Sequence, residues 1–248
     1  MKEADIDSLF KSVGGKRLKS SSFRAAVIVP TLNEEKNITG VIQKLKYLGF
    51  TNILVIDGNS TDRTVAFAER LGVHVIHQNG KGKGNALRQA FNYYGLNGDP
   101  VVVMDADGSM NPEELFSLIE TLERGADLVK GSRFMSHGGS EDLTLLRRLG
   151  NRIFVSLVNI LWSTRYTDLC YGFAVFRRDA IEKLYPHLRS KNFEIETEIF
   201  IKAKKLGLKV VEVPSVEMRR KYGKSNLKAY TDGFHILRTV IRESIFED

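Results

Sequence analysis

Cysteine is almost missing: Cys170 stands alone among 248 residues, which excludes an internal disulfide and fits a reducing interior with a buried structural thiol. Long apolar runs are missing as well. The best stretch, IFVSLVNILW at 153–162, is half the roughly 20 residues a spanning helix needs and is broken by Ser156 and Asn159, so the chain is not expected to cross a membrane. MKEADIDSLFKSVGGKRLKSSSFR, at the start, has no apolar core of signal-peptide length; residues 1–23 read as a tail with a short helix from Ile6 to Val13. The five histidines show no metal-ligand spacing, and His74 and His77 read as structural or rim residues. Acid is short relative to base, giving a net charge of +7, which favours anionic partners. No nucleic-acid motif and no interleaving of aromatic with basic residues accompanies that charge, so no nucleic-acid partner is expected.

What is there is a soluble globular composition, 42% apolar and 27% charged, without internal repeats or low-complexity linkers. From Ala25 short apolar runs alternate with helical segments. AAVIVP (25–30), NILVID (52–57), VHVIH (73–77) and VVVMD (101–105) read as strands; 34–49, 61–72 and 82–95 read as helices. That alternation predicts an α/β fold, Rossmann-like and doubly wound, with a mostly parallel sheet covered by helices on both faces. Ligands of such sheets bind beyond the carboxyl ends of the strands, and here those ends carry PTLNEE, DGNSTD, QNGKGKG and DADGS. Within DGNSTD, Ser60, Thr61 and Asp62 suit a helix cap, whereas Asp57 precedes the cap at the strand end.

The acids of VVVMDADGSMNPE (101–113) allow two readings. Asp and Gly favour a turn, with Asn111 and Pro112 starting a helix. Alternatively, Asp105 and Asp107 share a hard divalent cation, Mg²⁺ or Mn²⁺, whose remaining ligands are substrate phosphates.

Taken together, VIVPTLNEEKNI, VIDGNSTDRT, GKGNALRQA and VVVMDADGSMNPEEL, followed by DLVKGSRF, TDLCYGFAVFRRDAI, NFEIETEIFIKAKKLGLKVVEVPS and RKYGKSNL, resemble family-2 glycosyltransferases of the GT-A fold. The resemblance spans roughly residues 25–228 and, in its later segments, is most similar to the dolichol-phosphate mannosyltransferase branch. It implies a domain at 24–228, a C-terminal amphipathic helix at 229–248, and metal-dependent, inverting transfer from a GDP- or UDP-sugar to a dolichyl or undecaprenyl phosphate. It assigns Pro30, Leu32, Glu34 and Lys81 to donor binding and Asp57 to the base. Asp105 and Ala106 would follow the ribose and diphosphate. Asp107 would be the principal metal ligand, with Asp105 and Ser109 beside it. Arg133 and Arg220 would grip phosphates, with Lys224 in the same loop and Arg152 at the acceptor. Leu32, Ser109 and Asn226 stand where relatives often carry an aromatic ring, a longer polar side chain and a basic residue.

A departing nucleoside diphosphate gains negative charge that a metal and guanidinium groups stabilise. An acceptor phosphate monoester already carries a charge of about −1.5 to −2 and needs no general base. Arg133, Arg147, Arg148 and Arg152 could draw it in, although Arg147 and Arg148 also suit a solvated helix face. A hydroxyl acceptor, the alternative, needs a base, and Asp168, Glu194 and Glu196 are the candidate carboxylates, with Asp168 ranked as a catalytic candidate. Two segments, 151–162 and 232–246, permit amphipathic helices, the second with Phe234, Leu237, Ile241 and Ile245 on one face. Each can pack on the core or lie in a membrane interface. A lipid acceptor would place the enzyme peripherally on the cytoplasmic face of the membrane or with a membrane-protein partner.

Overall fold

The computed structural model describes residues 24–93, 99–223 and 225–245. The tail expected at 1–23, with its helix from Ile6 to Val13, and Lys224 lie outside the described residues.

The strands are β1 (Ala26–Thr31), β2 (Asn52–Asp57), β3 (His74–His77), β4 (Val101–Val103), β5 (Leu128–Ser132), β6 (Gly139–Ser140), β7 (Ala174–Phe176), β8 (Val210–Pro214) and β9 (Val216–Glu217). Seven of them form one sheet in the order β3-β2-β1-β4-β7-β5-β8, and β6 pairs with β9 apart from it. Every pairing in the large sheet is parallel except the two made by β7. The mostly parallel, doubly wound sheet expected from the sequence is therefore the one found.

Apolar residues run continuously along the strands because both faces are covered. Ile28, Leu54, Val101, Val103 and Phe176 enter one core, and Val27, Val29, Val55, Val102 and Val175 enter the other. Full burial of each such side chain contributes about 1.5–3 kcal/mol. Helices α1 (Ile38–Tyr47), α2 (Thr64–Arg70) and α4 (Leu115–Glu123) close the second core. Helices α3 (Lys83–Phe91), α5 (Leu145–Trp162), α6 (Arg178–Leu184), α7 (Ile195–Lys205) and α8 (Ala229–Ile245) contribute to the first.

Helix α5 starts six residues earlier than the apolar stretch at 151–162 suggests, because Thr144 caps it by accepting from Arg147 N. Arg147 and Arg148 thus lie in its first turn. Asn159, which interrupts the apolar pattern, and Asn151, which precedes it, hold the segment that follows the helix. Asn151 accepts from Leu169 N at 3.0 Å, and Asn159 accepts from Tyr166 N at 2.9 Å.

Helix α8 divides the two readings of its amphipathic pattern between its faces. Ile236, Thr239 and Val240 are buried against the body, while Glu243 pairs with Lys202 and Arg242 with Glu198 of α7. Phe234, Leu237, Ile241 and Ile245, the apolar face read from the sequence, are 65%, 37%, 49% and 67% exposed. One face docks on the core and the other is left open.

Candidate active site at the carboxyl edge of the sheet

Because six strands run one way, one edge of the sheet gathers all their carboxyl ends. Strand β7 runs against them, so the residues that lead into it, including Asp168 and Cys170, arrive at that same edge. There a cavity of about 380 Å³ opens, lined by Pro30, Leu32 and Glu34 after β1, Asp105, Ala106 and Asp107 after β4, Arg133 after β5 and Arg220 after β9. Residues 105–108 turn sharply, and Gly108, at φ +76°, occupies the left-handed region that glycine enters freely.

The two acids have different counter-charges. Asp105 Oδ1 lies 2.6 Å from Lys83 Nζ, which is also 2.7 Å from Glu196 Oε1. Burial works to lower the ammonium's pKa, but Asp105 and Glu196 override it and hold Lys83 charged well above the usual lysine range. Burial raises Glu196, and Lys83 only partly offsets this. A glycine stands beside the pair: a Cβ on Gly172 would sit 2.5 Å from Glu196 Oε1 and 2.7 Å from Lys83 Nζ, so a larger residue there would displace one of the two side chains.

Asp107 instead accepts from Ser109 N and Oγ through Oδ1, at 2.9 and 2.7 Å, and faces Arg220 through Oδ2 at 2.5 Å. Arg220 also donates to Glu34 Oε1 at 2.8 Å. Glu34 is held above the usual carboxylate range by burial, against the opposing pull of Asn37 and Arg220.

Arg133 is enclosed. Its Nε and Nη2 donate to the two oxygens of Asp168 at 2.7 and 3.0 Å, Nη2 also donates to Cys170 O at 2.9 Å, and Nη1 donates to Glu217 at 3.1 Å. The guanidinium carbon stacks 4.7 Å from the centre of the Tyr171 ring. Burial alone would raise Asp168, but the charge and hydrogen bonds of Arg133 hold it below the usual carboxylate range.

That pairing corrects the expectation of Asp168 as a base: it is fully buried, with both oxygens committed to Arg133. Glu194 does not line the cavity either; it accepts from the backbone of Lys191 and Asn192. Of the three candidate carboxylates only Glu196 reaches the cavity. Lys81 is exposed and outside the cavity lining, which Lys83, two residues on at the start of α3, joins instead. Arg152 points outward on α5, and Arg147 takes the cavity position, donating to Ser225 Oγ at 3.0 Å and Leu227 O at 3.1 Å.

Asp57 is 1% exposed and outside the cavity lining, which its neighbour Gly58 joins. Its Oδ2 accepts from Ser60 N and meets His77 Nδ1, while Oδ1 is buried without a partner. Burial pushes the Cys170 thiol up to about 12, with Asp168 and Glu196 adding to the effect; the residue is half-buried and lines the cavity.

Among the described residues, no three His, Cys, Asp or Glu side chains cluster as a metal cage. The donor set nevertheless fits a hard divalent cation. Asp107 offers an oxygen that a cation, Arg220, already answers, and Mg²⁺-type sites commonly take one or two carboxylates and complete themselves with substrate phosphates.

A sheet of this topology, with paired acids after its central strand, one met by a guanidinium and the other by an ammonium, defines an enzyme of the GT-A class. The model of glycosyl transferase family 2 matches residues 26–185, and the chain belongs to that family and is a glycosyltransferase. It is 35% identical over 221 residues to glycosyltransferase AglJ of Haloferax volcanii, covering 88% of this chain and 71% of that one. It is 31% identical over 234 residues to the polyprenol monophosphomannose synthase of Mycolicibacterium smegmatis, covering 90% and 85%. Among solved structures, glucosyl-3-phosphoglycerate synthase from Mycobacterium tuberculosis, crystallised with Mn²⁺, uridine diphosphate and phosphoglyceric acid, superposes with a TM-score of 0.74. It shares 21% identity, over 95% of this chain and 84% of that one.

Proposed function

We propose that this chain transfers a sugar from a GDP- or UDP-sugar to a polyprenyl phosphate, dolichyl or undecaprenyl, with inversion and with Mg²⁺ or Mn²⁺ at Asp107. The observation that carries the acceptor is a continuity of surface. Leu146, Leu149 and Ile153 of α5 line the cavity and are at the same time 46%, 55% and 51% exposed, so the polar floor with Asp105 and Asp107 opens directly onto an apolar outer face. A ligand with an anionic head and an apolar chain matches that gradient.

On the donor side, the unpartnered Asp57 Oδ1 would accept an N–H of guanine or uracil, and Asp105, Asp107 and Ser109 would follow the ribose and diphosphate. A divalent cation there supplies positive charge to the leaving diphosphate as its negative charge develops. Arg220 adds to that charge, and Arg133 and Arg147 face the incoming acceptor. The commitment of Asp168 to Arg133 suits an acceptor phosphate, which needs no general base at neutral pH, carrying about −1.5 to −2 already. Among the described residues no helix is long and apolar enough to cross a membrane. The open face of α8 and the exposed Leu145, Leu149 and Ile160 of α5, with Arg148, Arg152 and Arg238 exposed beside them, would dock peripherally on an anionic cytoplasmic leaflet.

The test is an assay of purified protein with Mn²⁺ or Mg²⁺, a panel of GDP- and UDP-sugars and a short-chain polyprenyl phosphate, run beside Asp107→Ala. We expect a lipid-linked sugar from one donor, dependent on the metal and lost by about 10²-fold or more in the variant. Transfer only to a soluble hydroxyl acceptor would overturn the lipid assignment.

A further inference from the structure

We propose that Arg220 works from two stations: without donor it is the resident cation of Asp107 and Glu34, and it yields that place to the divalent cation and turns onto the diphosphate. The inference rests on the donor reading above.

Four observations carry it. First, Arg220 Nη1 and Nη2 each hold a carboxylate oxygen, Glu34 Oε1 at 2.8 Å and Asp107 Oδ2 at 2.5 Å, so the oxygen best suited to a metal is already taken by a positive charge. Second, the station satisfies Arg220 incompletely: its Nε is buried without a hydrogen-bond partner, a donor that a phosphate oxygen would answer. Third, the residue is carried by an exposed strap, with Arg219, Lys221, Tyr222 and Gly223 all open to solvent, so the side chain can leave without disturbing either core. Fourth, the neighbouring acid is held by the opposite kind of partner. Lys83 is enclosed between Asp105 and Glu196, with 9% of its side chain exposed and a carboxylate oxygen of each within 2.7 Å. A divalent cation entering this floor therefore exchanges with Arg220 and leaves Lys83 in place. Asp107 becomes the metal carboxylate because its counter-charge can move.

Such exchange lowers the apparent affinity for metal by the fraction of time the site is free. The guanidinium thus penalises metal binding in the absence of nucleotide and repays it when a diphosphate gives Arg220 its second station. Metal and donor then bind with positive cooperativity.

Mn²⁺ binding can be read without turnover, from the loss of the free-ion EPR signal on titration into wild type, Arg220→Gln and Arg219→Gln, each with and without UDP or GDP. Arg219→Gln removes the same charge from the strap at a side chain that is exposed. If Arg220 holds its station about nine-tenths of the time, Arg220→Gln binds Mn²⁺ about tenfold tighter than wild type without nucleotide, and Arg219→Gln changes little. With nucleotide the gap closes, wild type gaining more affinity than Arg220→Gln. Equal tightening in both variants, or weaker binding in Arg220→Gln, overturns the exchange and leaves the donor reading standing. No Mn²⁺ binding by wild type even with UDP and GDP overturns the donor reading and the exchange together.

Discussion

Arg133 and Arg220 both bring a guanidinium to the cavity, yet they are held in opposite ways. Arg133 gives its donors to Asp168, Cys170 and Glu217, stacks on Tyr171 and keeps 5% of its side chain exposed. Arg220 has two carboxylates, an unpartnered Nε and a place on an exposed strap. Burial with complete partners makes a guanidinium part of the scaffold, which can offer a phosphate a fixed field but little rearrangement. Incomplete partners on an exposed segment outside both cores make it a ligand in waiting. The carboxylates carry the same contrast: Asp168 is held below the usual carboxylate range and Glu34 above it, so ionised Asp168 stabilises the fold where ionised Glu34 costs it.

The largest effect expected from this contrast is on stability. Asp168→Asn leaves the buried charge of Arg133 without its bidentate partner, and breaking a buried pair by removing one charge costs about 3–5 kcal/mol. Glu34→Gln removes a carboxylate whose charged form burial already disfavours and leaves Arg220 its pairing with Asp107, so it should cost less. Urea unfolding of the two amide variants beside wild type measures both. Equal losses would mean that the two arginines are not held differently after all.

The fold was legible where apolar runs are long and their period is unambiguous. AVIVPT, NILVID and the helices between them needed only hydrophobic pattern, and the chemistry at their carboxyl ends followed from sheet topology. Strand β7 is three residues, AVF, within a longer apolar stretch, and nothing local reveals that it runs antiparallel. The pairing of Arg133 with Asp168, 35 residues apart, depends on that reversal. Reading Asp168 as an open carboxylate base was the consequence.

The second effect is on pH dependence. Asp168 has a depressed pKa in the folded state, so its contribution is fully present above the unfolded carboxyl value, about 3.9, and is lost as pH falls through the folded value. The gap in unfolding free energy between wild type and Asp168→Asn should stay constant from about pH 8 to 5 and narrow in stronger acid. Urea titrations at a series of pH values check it, and a gap that widens toward acid would reverse the assigned sign.

The smallest effect concerns two lysines that sequence alone does not separate. In GKGKG either could face the strand ends, since the choice depends on where α3 begins. The helix begins at Lys83, with Gly84 packed against the backbone of Ser190 and Lys191, which turns Lys83 into the cavity and leaves Lys81 outside it. Lys81→Ala should therefore change stability by less than about 0.5 kcal/mol and leave the KM for the sugar nucleotide within about twofold, since a lone surface charge in screening salt contributes little. Lys83→Met removes the counter-charge of both Asp105 and Glu196 and should weaken donor binding far more. Steady-state kinetics on the two variants at physiological ionic strength separates them: a larger KM change at Lys81 would mean that the donor lies outside the floor formed by Lys83, Asp105 and Glu196.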